Sequence, residues 1–328
     1  MTQAPPATGE RTPWSDLPAH VEQALTEKLG APVRHARTRA GGFSPGVAAS
    51  VTLADGRRAF VKAVSAEANP HSPNMHRREA ENAARLPPEA PVPRLLATYD
   101  DGTWVALVFE DIQGSQPHVP WRQPELTRVL EAVGALSATL TPAPFPAPRV
   151  ADDLAKAFAG WRHLADPERA AAARLDPWTA RNVHALAELA APWGEFASGD
   201  TLVHGDLRAD NILLTEERVV FVDWPHAMRA APWLDLLVML PCVRAQGGPD
   251  PEELFTAHPS GRDADPEGVT RTLAGLTGFF LGHAARPAPP GLPTLRAFQR
   301  AQGEAALAWL KRRLRNRAGC RPLVPDLP

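Results

Sequence analysis

Four residues within positions 202–224, LVHGDLRADNILLTEERVVFVDW, carry groups that can do chemistry: His204, Asp206, Asn211 and Asp223. Their surroundings are mostly apolar. NILL and VVFV read as two buried strands joined by the four-residue turn TEER (215–218). If Leu214 opposes Val219, then Ile212 opposes Phe221, and Asn211 lies beside Asp223 at the open end of the hairpin. Asp206 precedes Asn211 by five residues, in the loop feeding that end. An amide oxygen and two carboxylates thus gather at one mouth, where burial without partners is costly. A hard cation satisfies such a set. Mg²⁺ favours oxygen, takes one or two ligands from protein, and completes its shell with waters and phosphates.

Phosphoryl transfer uses this combination. One Asp orients or deprotonates the attacking hydroxyl, while an Asn and a second Asp hold the metal ions that neutralise the phosphates. Asp206 and Asn211 have the spacing of a kinase catalytic loop, with His204 two residues before the Asp. His204 is read as pinning that loop by hydrogen bonds, with a general base as the alternative.

The elements that must position these residues fall into two groups. VAASVTLADGRRAFVKAV reads as two strands joined at Asp55-Gly56, a dipeptide suited to a tight turn. In the second strand Phe60, Lys62 and Val64 share a face by the two-residue period. MHRREAENAARLP reads as a helix ended by Pro87, with Glu79, Ala83 and Leu86 on one stripe. Glu81 lies off that stripe. Strands are predicted near 94–99 and 104–109. The period then becomes helical: Leu126, Val129, Leu130, Val133 and Leu136 make one apolar face, and further helices are predicted near 17–29, 152–165, 177–191, 233–245, 266–285 and 293–315. The fold class expected is α+β. A small β-rich lobe with one key helix spans 1–110, a hinge 111–115, and a larger, mostly helical lobe 116–328, with a ligand cleft between the lobes.

Composition bounds the rest. The 328 residues are 44% apolar and 22% charged, with a formal net charge of −2. That balance suits a soluble protein and gives no reason to expect nucleic acid as the main partner. The basic run KRRLRNR (311–317) ends a predicted helix, where cations suit the dipole. Cys242 and Cys320 lack metal spacing and read as plain thiols of a reducing compartment. No signal-like apolar segment opens the chain, and the longest apolar run is too short to cross a bilayer. A cytoplasmic protein without membrane attachment is expected, as a monomer or weak dimer.

HGDLRADN, then VDW, then WLDLL, resembles the aminoglycoside phosphotransferase family, whose members share the protein-kinase-like fold. The resemblance covers about residues 30–310. It implies a transferase acting on a small-molecule hydroxyl, with ATP (or GTP) and Mg²⁺. It makes Asp206 the catalytic residue and Asn211 and Asp223 the metal ligands. Lys62 becomes the lysine on the ATP phosphates, with Glu79 its partner. LVFEDIQG looks like the hinge that meets adenine, through the carbonyl of Glu110 and the N–H of Ile112. AGGFSPG stands where the phosphate loop belongs, with Ser44 and Gly46 as candidate contacts. Asp235, like His204, would support the catalytic loop.

Only eleven residues separate Asp223 from Asp235. That leaves no room for a long activation loop and favours a small-molecule acceptor over a protein. The last 58 residues hold ten Lys and Arg against two acids, Glu304 and Asp326. This weakens an expectation of a polycationic antibiotic, which would want carboxylates around it. Asp152, Asp153, Asp250, Glu252 and Glu253 are the acids that could still form a cationic site. Two rival readings are a nucleotide-binding pseudokinase that senses or scaffolds, and a metallohydrolase built on His204, Asp206 and Asp223.

Overall fold

The computed structural model describes residues 4–316 except 10, 40, 44, 45, 68, 69 and 71. Its first part is an antiparallel sheet. β1 (Val33–Thr38), β2 (Val47–Leu53), β3 (Arg58–Ser65), β4 (Leu95–Asp100) and β5 (Trp104–Phe109) lie in the order β1-β2-β3-β5-β4. Strand alternation gives the sheet two different faces. Ala59, Val61, Ala63, Ala106 and Val108 pack with Val21, Leu25 and Leu29 of helix α1 (Ala19–Leu29). On the other face Phe60, Leu107 and Phe109 meet Ala80 and Ala83 of α2 (Ser72–Ala83). Lys62, paired across the sheet with Leu107, belongs to this second face.

The second part is helical. Helix α3 (Gln123–Thr139) buries Leu126, Val129, Val133 and Leu136, and Leu130 packs against the same core half-buried. Long helices follow at Leu234–Ala245, Pro266–Ala284 and Leu295–Asn316. Among them sit two small ladders: β6 (Thr201–Val203) pairs with β9 (Met228–Ala230), and β7 (Ile212–Leu214) with β8 (Val219–Phe221). The β7–β8 register is Leu214 to Val219 and Ile212 to Phe221, the pairing considered for strands joined by the TEER turn. No described helix is long and apolar enough to cross a membrane. Cys242 is buried, which pushes its thiol up to about 12; Cys320 and Arg317 lie outside the described residues.

Tertiary contacts redraw several predicted boundaries. The helix predicted over 152–165 is two short pieces, Val150–Asp153 and Gly160–Leu164. The second piece packs so closely on Pro266–Ala284 that a Cβ at Gly160 would lie 2.0 Å from the Gly278 carbonyl oxygen. Trp161 Nε1 then reaches the Ala274 carbonyl at 2.7 Å. Gly160→Ala is expected to destabilise the protein by about 1–3 kcal/mol or more through overpacking. Urea unfolding measures this, and an unchanged midpoint would contradict the close approach. Strand β9 was not expected either. The N-terminal segment also leaves the small lobe: Ala4 packs with Cys242, Ala245 and Phe298 of the helical part and donates its N–H to the Ala245 carbonyl (2.9 Å).

Candidate active site

Lys62 stands at the centre of a buried ion cluster. Its Nζ lies 2.7 and 2.9 Å from the two carboxylate oxygens of Glu79 and 2.8 Å from Asp223 Oδ1. Three elements meet here: β3 supplies the lysine, α2 the glutamate, and the residues after β8 the aspartate. Glu79 is on the buried stripe of α2, whereas Glu81 is exposed. Burial alone would lower the Lys62 ammonium, but Asp223 and Glu79 override it and hold it raised. For Asp223 burial acts upward and Lys62 wins, keeping the carboxyl well below the usual range. Burial pushes the Glu79 carboxyl up, against the pull of Lys62. Asp223 has φ 73°, a left-handed conformation that Asp tolerates better than most residues. It turns the chain sharply just past the hairpin.

The loop before β7 is held from below. Asp235, at the start of helix Leu234–Ala245, accepts the N–H groups of His204 and Gly205, both at 2.8 Å. Burial still raises its carboxyl to about 6. His204 donates from Nε2 to the Val222 carbonyl (3.0 Å), and its Nδ1 accepts the Asp206 N–H (3.2 Å). These contacts define the neutral tautomer. Burial, the dominant cause, brings this imidazole down to about 4. Both ring nitrogens face main-chain partners, so the metal-ligand role required by the hydrolase reading has no geometry to support it.

Asp206 faces Arg208. Nη1 of Arg208 lies 2.7 Å from each Asp206 carboxylate oxygen, and its Nε and Nη2 reach Asp210 at 3.0 and 2.8 Å. Asn211 Nδ2 donates to the Asp206 carbonyl (2.8 Å) and to Oδ2 (3.3 Å). Val222 N–H bonds the Asn211 carbonyl at 3.0 Å, which brings Asn211 level with the residue before Asp223. Burial raises the Asp206 carboxyl, with Arg208 opposing.

A cavity of 490 Å³ opens between the two parts of the chain. Lys62, Glu79, Asn211 and Asp223 line it on one side, and Glu110, Asp111 and Ile112 on another. The Glu110 N–H donates to the Arg94 carbonyl (2.9 Å) and the Ile112 carbonyl accepts from Gly114 (3.1 Å). The groups with these partners are therefore the opposite ones to the Glu110 carbonyl and Ile112 N–H expected at adenine. Gly46 opens β2 away from the cavity wall, where a Cβ would meet the Ala63 carbonyl at 2.4 Å. Ser44 lies outside the described residues. Gly41, Gly42 and Phe43 line the cavity instead.

Sequence reasoning missed four polar residues here: Arg11, His76, Arg208 and Asp210. Arg208 and Asp210 stand inside the quoted motif, and their two-residue offsets from Asp206 and from each other were a usable signal. His76 carried only a helical one, lying a turn before Glu79 on α2. It is buried against the cavity, with Nδ1 on the Ser72 carbonyl (3.2 Å), and burial, then Lys62, lower it to about 4. Its unfolded value is near 6.5, so the stabilising contribution is complete above that pH and is lost as pH falls toward 4. Against a His76→Gln variant, which cannot titrate, the wild type should lose about 1.4 kcal/mol per pH unit across this window. Parallel urea unfolding between pH 7 and 4 checks this. A constant gap between the two proteins would contradict a buried neutral imidazole.

The donor chemistry suits a hard divalent cation. Asn211 uses its amide nitrogen on Asp206, which leaves its side-chain oxygen as the remaining group, and Asp223 is held ionised beside it. Among the described residues no group of three or more His, Cys, Asp or Glu side chains is arranged to hold a metal. The pair would need oxygens from elsewhere, as Mg²⁺ sites that share phosphates and waters do.

The model of the phosphotransferase enzyme family matches residues 35–267. Comparison with curated protein sequences gives no significant match. Among solved structures, the chain is similar to a thermostable mutant of aminoglycoside phosphotransferase APH(4)-Ia in ternary complex with ADP and hygromycin B. Identity is 17% and the TM-score 0.58, over 89% of this chain and 99% of that one. A choline/ethanolamine kinase family protein from Mesorhizobium loti is similar at 19% identity and TM-score 0.56, over 92% and 97% of the two chains. The streptomycin–ATP ternary complex of APH(2″)-IIa follows at 14% and 0.55, over 82% and 91%. At these identities the likeness shows a shared fold, the α+β, protein-kinase-like one that the resemblance implied. The family match spans more than half of the 328 residues, and the chain belongs to the phosphotransferase enzyme family.

Proposed function

We propose that this protein is a small-molecule kinase, transferring the γ-phosphoryl group of ATP to a hydroxyl with the help of Mg²⁺. One observation carries the reading. Asn211 joins the two halves of the site, lining the cavity with Lys62 and Asp223 while donating to Asp206 behind it. A cavity of 490 Å³ is of the size that holds a cofactor. Lys62 contacts the phosphates, kept in place by Glu79. Asn211 and Asp223 would hold the metal, which would supply charge neutralisation on the phosphates. Asp206 receives the acceptor's hydroxyl proton as its oxygen attacks the γ-phosphorus and the bond to the ADP oxygen breaks. Burial makes Asp206 a better base than an exposed carboxylate, and Arg208 fixes its direction. Catalysis is then mostly positioning and electrostatics.

The acceptor is not a polycation in this reading. Each acid that could have formed a cationic site has an arginine partner. Asp152 lies 3.9 Å from Arg149, Asp153 3.3 Å from Arg78, and Glu252 2.7 Å from Arg313. Asp250 and Glu253 share Arg312, at 2.6 and 3.7 Å. A neutral or anionic hydroxyl compound suits the site better.

A sensor that binds nucleotide without turnover is the second reading. The observation in its favour is that Arg208 engages both carboxylate oxygens of Asp206. The deciding experiment supplies γ-labelled ATP and Mg²⁺ with pooled metabolites and aminoglycosides, and looks for a labelled small molecule. A labelled product establishes the kinase and delivers its acceptor. Nucleotide binding without product over a broad panel would favour the sensor, and no nucleotide binding would sink both.

A further inference from the structure

We propose that Arg11 is a phosphate-binding residue of the nucleotide site, carried there by the N-terminal segment lying across the glycine-rich turn. The inference rests on reading the cavity as a nucleotide site. The segment is tied to both parts of the molecule. At one end the Ala4 N–H bonds the Ala245 carbonyl (2.9 Å), and Thr294 Oγ1 donates to the carbonyls of Pro6 and Thr8, each at 3.3 Å. At the other end Thr8 pairs with Gly42, Arg11 pairs with Gly46, and the Thr12 N–H bonds the Gly46 carbonyl (3.1 Å). The main chain at Thr8, Arg11 and Thr12 therefore lies as an extra edge against the turn expected to lie over the phosphates.

The Arg11 side chain points inward from that edge. It lines the cavity with Lys62, Asn211 and Asp223. Its Nη2 donates to the Gly41 carbonyl, and a Cβ on Gly42 would come within 3.0 Å of the same nitrogen. Gly42 has φ +75°, a conformation that glycine adopts freely and residues with a side chain rarely do. The guanidinium lies against this turn at Gly41 and Gly42. Burial lowers Arg11, and the carboxylates of Asp223 and Asp210 hold it up.

Desolvating a guanidinium is costly. A negatively charged ligand at this place gives that burial a purpose. Lys62 and Arg208 each face two carboxylates, so neither has positive charge in excess to offer a triphosphate. The planar guanidinium fork of Arg11 matches phosphate oxygens two at a time.

Calorimetric titration of the full chain with adenosine and with ATP and Mg²⁺ tests the assignment, using wild type, Arg11→Ala and Arg11→Lys. Arg11→Ala should weaken ATP binding by roughly ten- to a hundredfold, the range for a lost charge-assisted hydrogen bond. Its affinity for adenosine, which has no phosphate, should match the wild type. Arg11→Lys should fall between, because lysine keeps the charge without the fork. Equal ATP affinity in wild type and Arg11→Ala would overturn the inference. So would tighter binding by the variant, which would make the segment an inhibitory plug, and so would equal weakening toward adenosine and ATP, which would mark a structural role. If the wild type binds neither ligand, the nucleotide reading falls and takes this inference with it. If the wild type binds ATP and the variants bind alike, only the inference falls.

Discussion

Replacing Asp206 by alanine should reduce turnover by roughly 10²–10⁴-fold, the usual contribution of a positioned general base, while leaving nucleotide affinity nearly unchanged. The separation follows from where the carboxylate lies. Asp206 stands behind Asn211 and against Arg208, outside the wall of the cavity. Arg208 keeps Asp210 as a partner when Asp206 is shortened, so the loop should hold its shape. Asp206→Asn, which keeps the size and loses the base, should fall as far. Because burial raises the Asp206 carboxyl, the acid limb of the pH–rate profile should sit above the ordinary carboxylate range and vanish in both variants. Single-turnover measurement with labelled ATP, once an acceptor is in hand, reads these effects. Turnover close to wild type in either variant would remove Asp206 from the chemistry.

Lys62→Ala should be damaging in a second way, by leaving two carboxylates together. Glu79 is almost wholly buried, and Asp223 would lose the cation that keeps its carboxyl low. Removing one member of a buried ion pair typically costs about 3–5 kcal/mol. The expected result is a large fall in the urea midpoint together with loss of measurable turnover. The double variant Lys62→Met with Glu79→Leu separates the two effects. It removes one of the two stranded carboxylates and fills the space with apolar groups, so the share of the loss due to Glu79 should return while activity does not. A double variant no more stable than Lys62→Ala would assign the loss to Asp223 and not to Glu79, and one with restored activity would deny Lys62 a part in the chemistry.

Both predictions concern groups legible in the chain for a local reason. A four-residue turn joins β7 and β8 and sets their register, which brings Asn211 and Asp223 to one end of the hairpin. Period two put Lys62 on the face of β3 opposite α1. Period 3.6 put Glu79 rather than Glu81 on the buried stripe of α2. The apolar face of α3 was readable in the same way.

What the chain determined by itself was therefore the set of elements whose hydrophobic pattern repeats within a few residues, and the polar residues that stand at fixed offsets inside them. The tertiary structure alone decided what depends on contacts distant in sequence. Position 160 requires glycine because the Gly278 carbonyl, over a hundred residues away in sequence, occupies the space a side chain would fill. Strand β9, three residues long, exists because β6 offers it a partner. Asp153, Asp250 and Glu252, three of the acids that could have formed a cationic site, are bound to arginines on other elements. Arg11, in an unpatterned Pro-rich tip, reaches the cavity only because the helical part anchors that tip beside the glycine-rich turn. Local periodicity carries no record of such meetings, since their free energy comes from surfaces that come together only when the chain has folded.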